Sequence, residues 1–232
     1  MLTGHWWVTD ALEYQGPAYL ASWVVWVIVS ITLHELAHGW AALRQGDQTP
    51  RLTGHMTWNP IVHMGVQSLI VFAVVGIAWG AMPVDPTRFK SRFGDLIVSA
   101  AGPIMNVSLA IASMIGGALW LEFGPREAVD DVFFENVFVF FFLGASLNVV
   151  LALLNLLPIP PLDGSRILAS VSTSFRRMTM HEQAPMAGLF AILVVFVFAG
   201  DVLWDIGDGA AAWGIVIVKL LVSGDAGEGL GI

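Results

Sequence analysis

Residues 20–43 read LASWVVWVIVSITLHELAHGWAAL, 24 residues in which the only ionisable groups are His34, Glu35 and His38. An α-helix needs about 20 apolar residues to cross about 30 Å of hydrocarbon, so this stretch predicts a spanning helix with a polar inset. Positions i and i+4 share a helix face, which lets both imidazoles of H-E-x-x-H reach one metal while Glu35 points toward a water at the open coordination position. Ionisable groups inside a span cost several kcal/mol unless they pair, bind a metal or face a water-filled cavity. Three of them within five residues therefore point to a metal site rather than to a polar patch for helix packing.

The rest of the chain agrees with a membrane setting. Of 232 residues, 56% are hydrophobic and 12% charged, and the mean hydropathy is +0.75. The expected fold class is an all-α, polytopic membrane protein. Trp6, Trp7, Trp40, Trp79, Trp120 and Trp204 near the ends of apolar runs fit an interfacial aromatic belt. With no cysteine, a metal here must be held by His and carboxylates, and a net charge of -8 without a basic stripe argues against a nucleic-acid partner. Met1 to Tyr14 carries Asp10 and Glu13 and no basic region, so no removable signal peptide is expected.

Further apolar runs cover Val66–Ala81, Leu96–Leu121, Phe133–Leu157, Met186–Val202 and a short Ala210–Val222. Arg44, Arg51, Arg88, Lys90 and Arg92 flank the Val66–Ala81 run on both sides, whereas Glu122, Glu127, Asp130, Asp131 and Glu135 fill the loop after residue 121. Basic loops favour the cytoplasmic side, so a run with basic residues at both ends is expected to dip in and return. Its glycines (Gly65, Gly76, Gly80) and β-branched stretch fit a re-entrant or hairpin element. Five crossings follow, with the N-terminus outside, Asp201, Asp205 and Asp208 in an outer loop and Lys219 inside; a sixth crossing or a re-entrant last run stays open. The chain is expected to form one membrane-embedded domain over 1–232, with a three-helix catalytic core at about 20–168 and additional C-terminal helices at about 186–222.

A catalytic zinc site takes three protein ligands and keeps one position for water. Asp163 is the best third ligand. It follows the Phe133–Leu157 span through Pro158-Ile159-Pro160-Pro161-Leu162, which cannot continue a helix and so turns beside the membrane. With Val66–Ala81 dipping, Asp163 and the two histidines fall on the same side; with that run crossing, they fall on opposite sides. Glu35 would then serve as general base and pass a proton to the leaving amine.

His34-Glu35-Leu36-Ala37-His38, Ala101-Gly102-Pro103-Ile104-Met105-Asn106 and Asn155-Leu156-Leu157-Pro158-Ile159-Pro160-Pro161-Leu162-Asp163-Gly164 together resemble the site-2 protease family of intramembrane zinc metalloproteases, in a compact form without PDZ or CBS domains. The resemblance covers roughly residues 20–168. It implies one Zn²⁺ per chain held by His34, His38 and Asp163, with Glu35 as general base. It also implies a transmembrane substrate cut within the bilayer, Asn155 and Pro158 in contact with the unwound substrate, and Asn106 beside the site. The chain departs from compact members where Asn59-Pro60 and His63 are followed by Met64-Gly65-Val66 instead of an Asp-Pro pair, so no role is carried over for that aspartate.

Among the remaining polar residues, His63 is a candidate gating or supporting residue against a plainer interfacial role. Asn148 and Asn155, seven apart, share a helix face and suit tethering of neighbouring helices. Gly102, Gly116 and Gly117 suit close helix contact, and Asp95 suits a helix N-cap. His5, His55 and His181 read as solvated or structural. A metal-binding or metal-transporting membrane protein without protease activity is the alternative. The expected location is the cell membrane, multi-pass, with the site opening to the cytoplasm; oligomeric state stays open.

Overall fold

Helix follows helix in the computed structural model, which describes residues 6–181 and 183–224; His5 lies outside them. A short α1 (Trp7–Tyr14) ends at Gly16, whose φ of 88° turns the chain into Pro17, the first residue of α2 (Pro17–Arg44). Proline is preorganised for this position, where its missing N–H costs nothing. After a one-turn α3 (Thr49–Leu52) comes α4 (Pro60–Val75), again opened by proline and capped by Asn59, whose side chain accepts from the Ile61 N–H. Three more helices build the bundle: α5 (Gly94–Phe123), α6 (Asp131–Asn155) and, after the short α7 (Asp163–Val171) and α8 (Thr173–Thr179), α9 (Ala184–Ser223). Among the described residues, α2, α5, α6 and α9 are long and apolar enough to cross a membrane.

α2 packs against α5 and α6, and α9 lies on the outer side of the α5–α6 pair. Trp26, Val27, Ile31, Met64, Phe72, Leu143 and Leu147 join α2, α4 and α6 in one buried cluster. The Trp26 ring lies over Gly144, where a Cβ would collide with it, and its Nε1–H donates to the Phe140 carbonyl at 2.7 Å. Gly116 plays the same part between α5 and α6, admitting the Phe141 ring. Without a hydrophobic driving force in lipid, such close approaches supply the packing that holds helices together.

The apolar run after His63 dips and returns. α4 breaks at Gly65, where φ is 69°, then climbs to Gly76, a left-handed cap whose surroundings include the Trp7 ring. The chain returns without regular structure from residue 77 to 85. Its backbone finds partners on α4: the Ser68 hydroxyl donates to the Trp79 carbonyl at 2.7 Å and accepts from the Trp79 N–H at 2.8 Å, and the Ala81 N–H donates to the His63 carbonyl at 2.9 Å. The returning end is fastened at the C-terminal end of α2. The Asp85 N–H donates to the Asp47 carboxylate at 2.7 Å and the Lys90 N–H to the Gln45 carbonyl at 2.8 Å. Burial pushes the Asp47 carboxyl up, but hydrogen bonds from Asp85 and Thr49 outweigh it and hold it below its ordinary range. The element is thus a helix out and an extended segment back.

Two sequence expectations are corrected. The Met186–Val202 and Ala210–Val222 runs are one continuous helix of 40 residues, and Asp201, Asp205 and Asp208 lie along it rather than in an outer loop. Gly207, Ala211 and Ile215 recur at helical spacing and bury against the bundle, and Ser146 of α6 donates its hydroxyl to Asp208. Lys219 consequently approaches Glu122 at 4.0 Å, on the side of the acidic loop rather than across from it. Among the described residues four helices are long and apolar enough to cross, with α9 taking the place of the last two expected spans. Asp95 does not cap α5, whose N-cap is Phe93; its carboxylate accepts from Arg166 Nη2 at 2.7 Å and fastens α7 to α5.

Because the chain has no cysteine, single-cysteine labelling tests this topology directly. Gln15→Cys and Ser223→Cys are expected to react with a membrane-impermeant maleimide from one side, and Thr53→Cys and Arg92→Cys from the other. Ser223→Cys labelling together with Thr53→Cys would restore five crossings.

Candidate metal centre

His34 and His38 lie one turn apart on the buried face of α2 that meets α5. Asp163 is the first residue of α7 and reaches the same point from the opposite direction. Its Oδ2 is 3.0 Å from His34 Nε2 and 3.2 Å from His38 Nε2, while the two Nε2 atoms are 3.0 Å apart. Four ligands tetrahedrally placed about zinc at about 2.0–2.1 Å stand about 3.3 Å from one another, close to this spacing. Among the described residues this is the one group of three such side chains that converges.

The outer edge of each ring settles its tautomer. His38 Nδ1 is 2.7 Å from the Val98 carbonyl and His34 Nδ1 is 2.6 Å from Asn106 Oδ1. Both partners accept, so both Nδ1 atoms carry the proton and both Nε2 lone pairs face inward. Asp163 Oδ2 lies beside both of these lone pairs. Two lone pairs and a carboxylate oxygen without a hydrogen-bond partner thus face one another out of water. Such a trio is repulsive unless a cation lies between its members, which is the fit a divalent metal requires.

Glycines make room for this arrangement. A Cβ on Gly102 of α5 would collide with Nε2 of both His34 and His38. Pro103 follows it and lacks the N–H that would close the helix there, one of the recognised causes of a break in the ladder. Gly164, next to Asp163, passes beneath the Leu156 carbonyl at the end of α6, so any side chain there would push α7 away. On the return segment, a Cβ at Gly80 would lie 2.6 Å from Glu35 Oε1. Glu35 is 7% exposed, and its carboxylate lies beside this segment.

The remaining sequence candidates fall in two groups. Asn106 joins the cluster through His34. Asn155 turns its amide back onto its own helix, donating to the Leu151 carbonyl at 3.0 Å, and Pro158 is exposed in the turn after α6. His63 is buried, and its Nε2–H donates to the Thr57 carbonyl at 2.7 Å, bracing the start of the hairpin. Sequence reasoning did not find Val98, whose contribution is a backbone carbonyl, or Gly80, which read only as a breaker. It placed Asn148 in a tether, while the structure adds that its amide bonds Asn106.

An H-E-x-x-H helix inside an apolar bundle, with a buried carboxylate completing the trio, defines the class of membrane metallopeptidases. Comparison with known proteins agrees. A family model described as Peptidase family M50 matches residues 22–199. YwhC of Bacillus subtilis (strain 168), named as a zinc metalloprotease, is 38% identical over 199 residues, 84% of this chain and 90% of its own. Rip2 of Mycobacterium tuberculosis (strain H37Rv), also named as a zinc metalloprotease, is 32% identical over 201 residues, 80% of this chain and 71% of its own. The regulator of sigma-E protease RseP of Escherichia coli is 30% identical over 132 residues, 49% of this chain and 28% of its own. No solved structure matches. The chain belongs to peptidase family M50, the site-2 protease family, and is a zinc metalloendopeptidase of the membrane.

Gly102→Ala is expected to leave the helical bundle assembled and to weaken zinc binding by about tenfold or more, the scale on which disturbed ligand orientation acts. Metal analysis after dialysis against a weak chelator reads the loss. Parental zinc content in this variant would contradict the crowding seen at the cluster.

Proposed function

We propose that this protein hydrolyses peptide bonds within transmembrane segments of other membrane proteins, with His34, His38 and Asp163 holding one Zn²⁺ per chain and Glu35 as the general base. The observation that carries it is the convergence of Asp163 Oδ2 on two inward-facing imidazole lone pairs at 3.0 and 3.2 Å, in a bundle of apolar helices. When bound, zinc would supply a Lewis acid that polarises the scissile carbonyl and acidifies a water.

The residues of the chain do the rest. Val98 and Asn106 orient the two imidazoles, and α7 brings the anionic carboxylate that balances the charge of the cation. Glu35, one residue from His34, takes a proton from the attacking water and returns it to the leaving amine. The extended segment over 77–85 runs past Glu35 and is the non-helical backbone nearest the base, which suits a path for water through the hairpin. Asn155 and Pro158 sit where α6 gives way to the turn before Asp163, and we assign them to contact with an unwound substrate. The whole chain acts as one domain in the cell membrane, its site opening to the cytoplasm through the basic loops at the C-terminal end of α2.

The test is cleavage of a model transmembrane substrate by the purified protein in detergent or liposomes. Glu35→Gln is expected to reduce turnover by at least about a hundredfold while zinc content stays near parental, since general base catalysis contributes about 10²–10⁴. Asp163→Ala is expected to lose both. Cleavage that survives Glu35→Gln would sink the assignment, and residue-dependent zinc uptake into liposomes without hydrolysis would favour transport instead.

A further inference from the structure

Behind His34 the hydrogen bonds run in single file through three helices. His34 Nδ1 meets Asn106 Oδ1 on α5 at 2.6 Å, and Asn106 Nδ2 donates to Asn148 Oδ1 on α6 at 2.9 Å. Asn148 Nδ2 then donates to the Gly144 carbonyl at 2.9 Å and to Ser30 Oγ at 2.9 Å, back on α2 one turn before His34. Both asparagines and Ser30 are wholly buried.

We propose that Asn148 is a positioning residue for the metal centre, fixing the direction of the Asn106 amide and through it the tautomer of His34. The inference rests on the zinc reading above. An amide side chain is ambivalent, offering an oxygen on one face and an NH₂ on the other, and by itself Asn106 could present either to His34. Presented with the NH₂, His34 Nδ1 would have to accept, the proton would move to Nε2, and the metal would lose a ligand. The lock must come from a group that cannot reverse its role. That group is the Gly144 carbonyl, a pure acceptor, which compels Asn148 to point its NH₂ toward α6 and its oxygen toward Asn106.

His38 needs no such device. Its outer edge meets the Val98 carbonyl directly, a backbone acceptor that cannot flip. The two ligands of the H-E-x-x-H helix thus obtain the same tautomer by different means, one from backbone and one by relay. A simple tether between α5 and α6 would need only some hydrogen bond at residue 148, in either direction; the relay needs this direction.

A double-mutant cycle separates the two on the full chain purified in detergent, with zinc affinity read by chelator competition. A carboxylate at residue 106 accepts on both faces and needs no orientation, so Asn106→Asp should make residue 148 dispensable for the metal. Asn148→Leu is expected to weaken zinc binding about tenfold or more in the parent, and by no more than about twofold, the usual limit of additivity, in the Asn106→Asp background. Equal losses in both backgrounds would mean packing alone and would overturn the relay, as would parental affinity in Asn148→Leu. Asn148→Ala carries the same comparison where leucine is not accommodated, and failure of both variants to fold in both backgrounds also counts as packing. Absence of zinc from the parent protein would overturn the zinc reading and this inference together, whereas zinc in the parent with an additive cycle overturns the relay alone.

Discussion

Three proton-free acceptor atoms brought together out of water form the constraint around which the bundle is arranged. Left alone they repel, and a bilayer offers nothing to soften the repulsion. Each therefore has to be held from behind. The Val98 carbonyl and the Asn106 amide hold the two rings by their outer edges, and Asp163 is held through its chain neighbours, Gly164 beneath the end of α6 and Arg166 against Asp95. The glycine at residue 102 is the complement of these restraints, since the space its side chain would take is the space the acceptors share.

The same scarcity of polar partners shapes the hairpin. Nine residues, 77–85, cross non-helical ground beside α2, and every unpaired N–H or carbonyl there would cost several kcal/mol in hydrocarbon. Ser68 answers with one hydroxyl used twice, and the break at Gly65 lets His63 offer its carbonyl to Ala81. Packing and hydrogen bonding thus place irregular backbone next to Glu35, the one member of the motif that has to meet water and substrate rather than metal.

How far this could be read from sequence depended on how local each signal was. His34, Glu35 and His38 are set by the helical repeat within a single apolar run, and rarity of charge in such a run does the rest. Asp163 needed a second inference, from loop charges through the dip of Val66–Ala81, and the fastening of the returning end of that run to the end of α2 follows the same line. Asn148 was legible as a polar residue on a helix face, but its direction depends on Asn106, 42 residues away, and on a carbonyl of its own helix. Asp95 looked like a cap because its partner, Arg166, is 71 residues distant. Contacts that exist only after helices pack leave no period in the chain.

The continuity of α9 shows which of two costs prevails inside an apolar bundle. Aspartates at 201, 205 and 208 read as an outer loop between two spans, and glycines stand among them at 200, 207 and 209. Breaking the helix there would strand up to four N–H and four carbonyl groups at the new ends, each worth several kcal/mol in hydrocarbon. Keeping it leaves the aspartates exposed along α9, at about 2.5–3.5 kcal/mol apiece at the most apolar depth, less where a partner or water is within reach. Ser146 supplies such a partner to Asp208. No proline forces the break, and the Gly207, Ala211 and Ile215 stripe against the bundle would be lost with it. A span of 40 residues is about 60 Å of helix, twice the hydrocarbon thickness, so α9 must project beyond the bilayer or lean strongly within it. Its first half, with Phe190 and Phe198 exposed along the surface, has the apolar covering that leaning requires.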